Sequence, residues 1–248
     1  MDYAELTKRL LKLTVIFLIF LARPALCRGQ DANSPSDEAL GVPESADFNS
    51  GVYYKNKIEF SLETGVLPIN VPFPFDAFIG ADYSQNPRRY TLVPIFPSLR
   101  WQMGDVRGAG ILRGNFDLTL TLSFTAIPSG PETRYGAFDL GVRRNFVHRN
   151  WKTAPYFEVR GGAGFINAKG PDGVPWAQGG DFTFTMMLGT GVRYNYSTRY
   201  SMDVGLSFMH VSDAYLCHPA YCDYGINVYG PMIGFNMRLG KPKRGSVR

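Results

Sequence analysis

The sequence predicts an all-β fold, an eight-stranded antiparallel transmembrane β-barrel, and three observations predict it. Segments spread over residues 57–239 alternate apolar and polar side chains with a period of two, the mark of strands with one greasy and one polar face. Most of them exceed the five or six residues usual in soluble sheets. Runs of about 9–13 residues suit tilted passage through a bilayer, and eight strands make the smallest usual barrel. The polar faces also carry both signs of charge, at Glu59, Glu63, Asp117, Asp139, Arg143, Glu158, Arg160, Arg193, Asp203 and Arg238. That mixture suits a narrow lumen filled by ion pairs among Gly, Ser and Thr. The sheet must close, because an open edge in lipid would strand backbone N–H and C=O groups. A soluble lipocalin-like barrel with its apolar faces turned inward is the rival arrangement for the same alternation.

Composition agrees. Glycine, at 27 of 248 residues, and aromatics, at 14%, are abundant together, as glycine-rich strands with aromatic surfaces require. The net charge of +5 comes from dispersed basic residues, and their clearest run is the tail at 241–248. A solvated tail or a contact with lipid headgroups accounts for it better than nucleic acid, which needs a basic patch or stripe.

In chain order, residues 1–27 read as a secretory signal peptide. Lys8, Arg9 and Lys12 precede the apolar run 13–22, and Ala25-Leu26-Cys27 supplies the region a signal peptidase reads. Ten apolar residues fall short of the ~20 that span a membrane as a helix. Leu26 is too large for a good lipoprotein signal before Cys27. Residues 28–55 are polar and aperiodic, a disordered N-terminal lead-in, and the barrel is expected over 56–240.

The first strand sets Ile58, Phe60, Leu62 and Val66 against Lys57, Glu59, Ser61 and Glu63. A Pro- and aromatic-rich connection, 68–86, follows. The second strand, 91–103, is the least regular, since Pro94 and Pro97 interrupt a sheet ladder. In the third, Phe116, Leu118, Leu120, Leu122 and Phe124 alternate with Asp117, Thr119, Thr121 and Ser123. The fourth and fifth cover 135–146 and 155–165, and Gly161-Gly162-Ala163-Gly164 inside the latter reads as close barrel packing rather than a nucleotide loop. The sixth covers 181–193. Arg143, Arg144 and Arg149 are candidates for contact with headgroup phosphates, although Arg143 has lumen parity, and His148 falls in a solvent-facing turn.

The last two strands carry the chemistry. Val204, Leu206 and Phe208 share a face, and continuing the alternation adds His210 and Ser212 where that strand runs out. In the next strand Asn227 has the parity of Tyr229, Pro231, Ile233, Phe235, Met237 and Leu239. Two consecutive antiparallel strands therefore bring His210, Ser212 and Asn227 together at one end of one apolar surface. A histidine two residues from a serine on the same face suits a nucleophile with its base. Read singly, His210 is an interfacial contact at a barrel rim.

This constellation resembles the signature of the outer-membrane lipid A 3-O-deacylase family. In that pattern a strand ending His-x-Ser-Asn-Ala is followed by an Asn-x-Gly turn and a residue that orients the histidine. The matching stretches here are His210-Val211-Ser212-Asp213-Ala214 and Asp223-Tyr224-Gly225-Ile226-Asn227. Asp213 and Asp223 stand where the family has Asn, and Asn227 where it has Glu. The resemblance implies a serine esterase acting on lipid A of lipopolysaccharide, with Ser212 as nucleophile, His210 as base and Asn227 as its orienting partner. Asp223 and Gly225 hold the oxyanion loop, and Leu206, Phe208, Tyr229 and Phe235 line the path of the acyl chain. It implies no metal or organic cofactor, outer-membrane lipid as surroundings, and a location in the outer membrane of a Gram-negative cell. A barrel of the same scaffold without catalysis is the alternative, and a monomer and a homodimer both fit the sequence.

Two cysteines remain after the signal. Cys217 and Cys222 flank the variable part of the loop between His210 and Asn227, and in an oxidising compartment they are expected to form a loop-pinning disulfide. Two free thiols are the alternative. A zinc site of Cys217, His218 and Cys222 lacks a fourth ligand.

Overall fold

A computed structural model describes residues 48–73, 86–149, 151–217, 220 and 225–240. Nine strands occur among them: β1 (Ile58–Gly65), β2 (Ile69–Asn70), β3 (Thr91–Gln102), β4 (Gly114–Ser129), β5 (Arg134–Phe146), β6 (Thr153–Ile166), β7 (Phe182–Asn195), β8 (Tyr200–Ser212) and β9 (Ile226–Leu239). Each of β3 to β9 pairs antiparallel with the next, and β1 pairs with both β3 and β9, closing the sheet. The two-residue β2 continues the line of β1 against β9, where Ile69 lies opposite Tyr229. The fold is thus a closed eight-stranded antiparallel barrel. No helix among the described residues is long and apolar enough to cross a membrane. The strands cross it instead.

Alternation decides which side is which. In β4 the buried residues are Thr119, Thr121, Ser123 and Thr125, while Leu120, Leu122 and Phe124 are exposed. An apolar outside and a polar inside reverse the order of a soluble protein, and the fit is to lipid. The lipocalin-like arrangement, with apolar faces inward, is excluded.

Proline does not break β3. The β1 ladder runs unbroken from Ile95 to Trp101 and pairs Pro97 with Leu62, whereas the β4 ladder passes from Ile95 to Ser98 without pairing Phe96 or Pro97. The missing N–H of Pro97 therefore costs pairing on one side only, and the other neighbour keeps the strand in register. The expected irregularity is therefore present on the β4 side, which also shifts register between Thr91 and Val93, but it does not end the strand.

Four arginines with almost no exposure fill the middle of the lumen. Arg143 on β5 donates to Glu158 of β6 at 2.8 Å, Glu63 of β1 at 2.9 Å and Asp203 of β8. Arg100 reaches Glu63, Asp203 and Asn236, and Arg160 reaches Glu63 and Glu158. Arg193 forms a two-pronged pair with Glu59, 2.6 and 2.9 Å. The planar guanidinium suits such pairing, since one group can bond carboxylates from several strands at once. Gly191 and Gly205 face each other across β7 and β8, and a Cβ on either would lie 2.8 Å from the Tyr156 hydroxyl. Their bareness makes room for that phenol, on whose ring Arg143 stacks at 3.8 Å. Arg143 is thus a lumen strut, out of reach of any headgroup phosphate.

The two ends of the lumen differ. Toward the ends of β8 and β4 the filling turns apolar, with Leu67, Phe96, Ile127, Met187, Met209, Val211, Ile226 and Val228 in one cluster. The other end is stoppered by the chain ahead of β1. A 3-10 turn (Phe48–Gly51) leads into buried Val52 and Tyr53, which pack with Val147 and Ala154. Asn49 donates to the carbonyls of His148 and Trp151, and Lys57 pairs with Glu59 at 2.8 Å. Order therefore begins by residue 48, within the lead-in expected to be disordered up to 55. Phe48, Val52 and Tyr53 give that stretch enough apolar surface to dock. The expected signal peptide, the lead-in up to residue 47 and the basic tail from 241 lie outside the described residues.

The longer connections, at 66–90, 167–181 and 213–225, all lie at the end where β8 finishes; those at the opposite end span 103–113, 147–152 and 196–199. Barrels of the outer membrane keep short turns on the periplasmic side and long loops outside. The end bearing Ser212 is the outer one.

Candidate active site

The outward face of β8 runs Met202, Val204, Leu206, Phe208, His210, Ser212, and the outward face of β9 begins with Asn227 and Tyr229. Register joins the two faces: Phe208 lies opposite Tyr229 and His210 opposite Asn227. Ser212 lies two residues beyond His210, so its side chain rises beside the imidazole from the same strand. His210 Nε2 and Ser212 Oγ are 2.8 Å apart, and His210 Nδ1 and Asn227 Oδ1 are 2.6 Å apart. An amide oxygen only accepts, so Nδ1 carries the proton and donates it to Asn227. Nε2 then has a free lone pair, and the Ser212 hydroxyl donates to it. The three residues predicted from parity form one continuous hydrogen-bonded chain.

The surroundings hold that chain in place. The Phe73 ring stacks on the imidazole with centroids 4.2 Å apart. Gly225 closes the other side: a Cβ there would lie 2.9 Å from His210 Cε1 and 3.2 Å from Ser212 Cβ, and its φ of +68° is the left-handed region that glycine tolerates. Asn86, nearly buried, donates to the Gly225 carbonyl at 3.1 Å and to that of Trp176 at 3.3 Å, tying two loops together over the site. Asp213 points inward and accepts from the backbone N–H groups of Tyr215 and Cys217, which makes it a turn-former.

Leu206, Phe208, Tyr229 and Phe235 lie on the outer face below the histidine as predicted, with Leu206 and Phe235 well exposed. Reading by strand missed three contributors. Met186 and Phe184 of β7 lie opposite His210 and Ser212, and their parity in the sixth strand could have revealed this once the register was known. Phe73 gives no such signal, because it comes from a connection without periodicity. Asp223 lies outside the described residues, and so does Cys222, which leaves the expected disulfide with Cys217 undescribed.

Comparison with known proteins bears on this geometry. The sequence profile of the family described as lipid A 3-O-deacylase (PagL) matches residues 98–236, more than half of the chain and all of the His210–Ser212–Asn227 array. The chain belongs to this family. No curated protein matches it. Among solved structures it is similar to the outer membrane enzyme PagL, with 14% identity and a TM-score of 0.46 over 73% of this chain and 99% of the other. It is also similar to the N-terminal β-barrel domain of Pseudomonas aeruginosa OprF, with 14% identity and a TM-score of 0.41 over 74% and 98% of the two chains. A de novo designed transmembrane β-barrel gives 11%, 0.32, 75% and 97% in the same order. As a PagL-family barrel with an apolar outer belt, the protein is a multi-pass component of the Gram-negative outer membrane.

In this PagL-family chain the residue bonded to His210 Nδ1 is an amide, whose oxygen accepts from the imidazole without adding negative charge.

Proposed function

We propose that this barrel is a lipid A deacylase, a serine esterase that hydrolyses an ester-linked acyl chain at the 3 position of lipid A. The observation that carries the reading is the chain Ser212 Oγ–His210 Nε2 with His210 Nδ1–Asn227 Oδ1, set on the lipid side of the outer rim. His210 Nε2 takes the Ser212 proton as Oγ bonds to the ester carbonyl carbon. The tetrahedral oxyanion then collapses, the sugar oxygen leaves with the proton from Nε2, and the acyl group stays on Ser212. Water, deprotonated by the same nitrogen, cleaves the acyl-enzyme and releases the fatty acid.

The location suits a substrate that never leaves the bilayer. Drawing an acyl chain into water costs about 0.8 kcal/mol per CH₂. Here the chain stays in lipid beside Leu206, Phe208, Tyr229 and Phe235. The amide at Asn227 also favours a second reading, a barrel that keeps the scaffold without catalysis, because imidazolium gains no charge partner.

One assay separates the two. Purified protein in detergent is given lipid A, and released fatty acid is measured for wild type, Ser212→Ala and His210→Ala, with folding followed by heat-modifiable gel mobility. Release by wild type alone is expected. Release that survives Ser212→Ala would falsify the mechanism, and no release by folded wild type from several lipid A species leaves the non-catalytic barrel.

A further inference from the structure

The loop between β6 and β7 contains a concavity of about 320 Å³ lined by Gly170, Gly173, Val174, Pro175, Trp176 and Ala177, with Ala220 at its edge. We propose that it is a binding subsite for the sugar of the substrate, with Trp176 as its platform. The proposal rests on the deacylase reading for the identity of the ligand, and on four observations for the site.

The first is direction. An acyl chain lying along the outer faces of β8 and β9 brings its ester to Ser212, the last residue of β8. Whatever the ester joins to the chain must extend past the strand end, over the loops that follow β6 and β8. The second is connection. Asn86 donates to the carbonyls of both Trp176 and Gly225, and Gly225 lies against His210 and Ser212. The concavity is therefore one side chain away from the triad.

The third is its chemistry. Its volume falls at the lower end of the roughly 300–1,000 Å³ usual for small-molecule sites. Its lining joins one large amphipathic ring to glycines that let a ligand approach the backbone. A pyranose has apolar C–H faces and a hydroxyl rim. An indole offers an apolar face for the first, and the backbone laid bare at Gly170 and Gly173 offers polar groups for the second. The fourth is the backbone of Trp176, a bulky residue held at φ +63°. A non-glycine residue in the left-handed region needs its surroundings to hold it there. Two contacts do so. Asn86 bonds its carbonyl, and Arg88 Nε donates to the preceding carbonyl of Pro175 at 3.0 Å. Held in that way, Trp176 lines the concavity and keeps 40% of its surface exposed.

The test uses binding, so that it does not depend on turnover. Full-length Ser212→Ala protein in detergent is titrated with a monosaccharide probe, glucosamine 1-phosphate acylated at positions 2 and 3, and with the methyl ester of the same fatty acid, which lacks the sugar. Adding Trp176→Ala is expected to weaken the sugar probe about three- to tenfold and leave the methyl ester unchanged, while Trp176→Phe keeps most of the affinity. Equal weakening of both probes, no weakening of either, or equal loss in the Phe and Ala variants overturns the subsite. If the probe discriminates and wild type releases no fatty acid, the subsite stands and the esterase reading alone falls.

Discussion

The inside and the outside of this barrel use polar groups in opposite ways. In the lumen Arg100, Arg143 and Arg160 share Glu63 among them, and Asp203 and Glu158 add further bonds, so each of these three guanidiniums is held from several strands at once. On the outer face a chain of three polar side chains sits above an apolar belt, and its bonds join only the neighbouring strands β8 and β9, which the backbone ladder already pairs. Polar groups in the middle of the lumen take the place of an apolar core there. Polar groups on the lipid side without a structural task cost free energy, which makes a chemical task the better account of them. Two kinds of substitution should therefore separate cleanly.

The largest effect belongs to the outer chain. His210→Phe keeps the stack on Phe73 and removes the base. Fatty-acid release should fall by at least about 10³-fold, while the temperature at which the barrel loses its compact gel mobility stays within a degree or two of wild type. A matching loss of barrel stability would show that His210 has a structural task after all, and the contrast between the two surfaces would fail.

The converse substitution is Arg143→Met. Removing one guanidinium leaves Glu63, Glu158 and Asp203 crowded together and undercompensated, and breaking a buried pair in this way costs about 3–5 kcal/mol. The mobility transition should drop markedly, yet the rate per folded molecule should be close to wild type. Glu63→Gln combined with Arg143→Met should recover part of the loss, since the doubly changed lumen has fewer unpaired charges.

Much of this was legible in the sequence. Alternation named the lumen residues one by one, because a barrel between lipid and a polar lumen allows no other distribution, and it placed His210, Ser212 and Asn227 on a common face. What the sequence hid was whatever lacks a period. Phe73 and Asn86 reach the site from an aperiodic connection, and only three-dimensional closure brings them there. Residues 48–55 read as polar chain since Phe48, Val52 and Tyr53 are too few to make a pattern, although they are enough to stopper one end. Pro97 was legible as an interruption, and the extent of it was not: the ladder is lost toward β4 and kept toward β1, because the cost depends on which neighbour the missing N–H would have faced.

Asn227 sharpens the comparison from the chemical side. Asn227→Glu restores a carboxylate beside Nδ1, where it would stabilise the imidazolium formed during proton transfer. The expected gain is on the order of 1–3 kcal/mol, roughly 5- to 150-fold in rate, measured as fatty-acid release at saturating lipid A. Position 227 is buried, and a buried charge lowers stability when it is unpaired, so the mobility transition should shift down slightly. Asn227→Ala, which fixes no tautomer, should lose activity. An Asn227→Glu variant slower than wild type would mean that this site works through its neutral amide.

The smallest effect lies where the lumen meets the stopper. Lys57 pairs with Glu59 and donates to the Val52 carbonyl, and burial lowers its pKa from the ordinary 10.5 to about 8. The unfolded chain therefore holds this proton between pH 8 and about 10.4 when the folded chain has released it. Stability rises with pH wherever the unfolded state binds more protons, so docking of residues 48–57 should strengthen as pH climbs through that window. Tyr53 acts in the opposite sense, but burial pushes its pKa up to about 12, and its influence begins only above pH 10. Between pH 8 and 10 the Lys57 contribution thus stands alone in this segment, on the order of 1 kcal/mol. Protease cleavage of residues 48–57 in the folded barrel, followed across that range, should slow as pH increases, and Lys57→Met should remove the trend. A wild-type stopper that loosens between pH 8 and 10 would mean that Lys57 docks as a charged partner of Glu59, like the arginines deeper in the lumen.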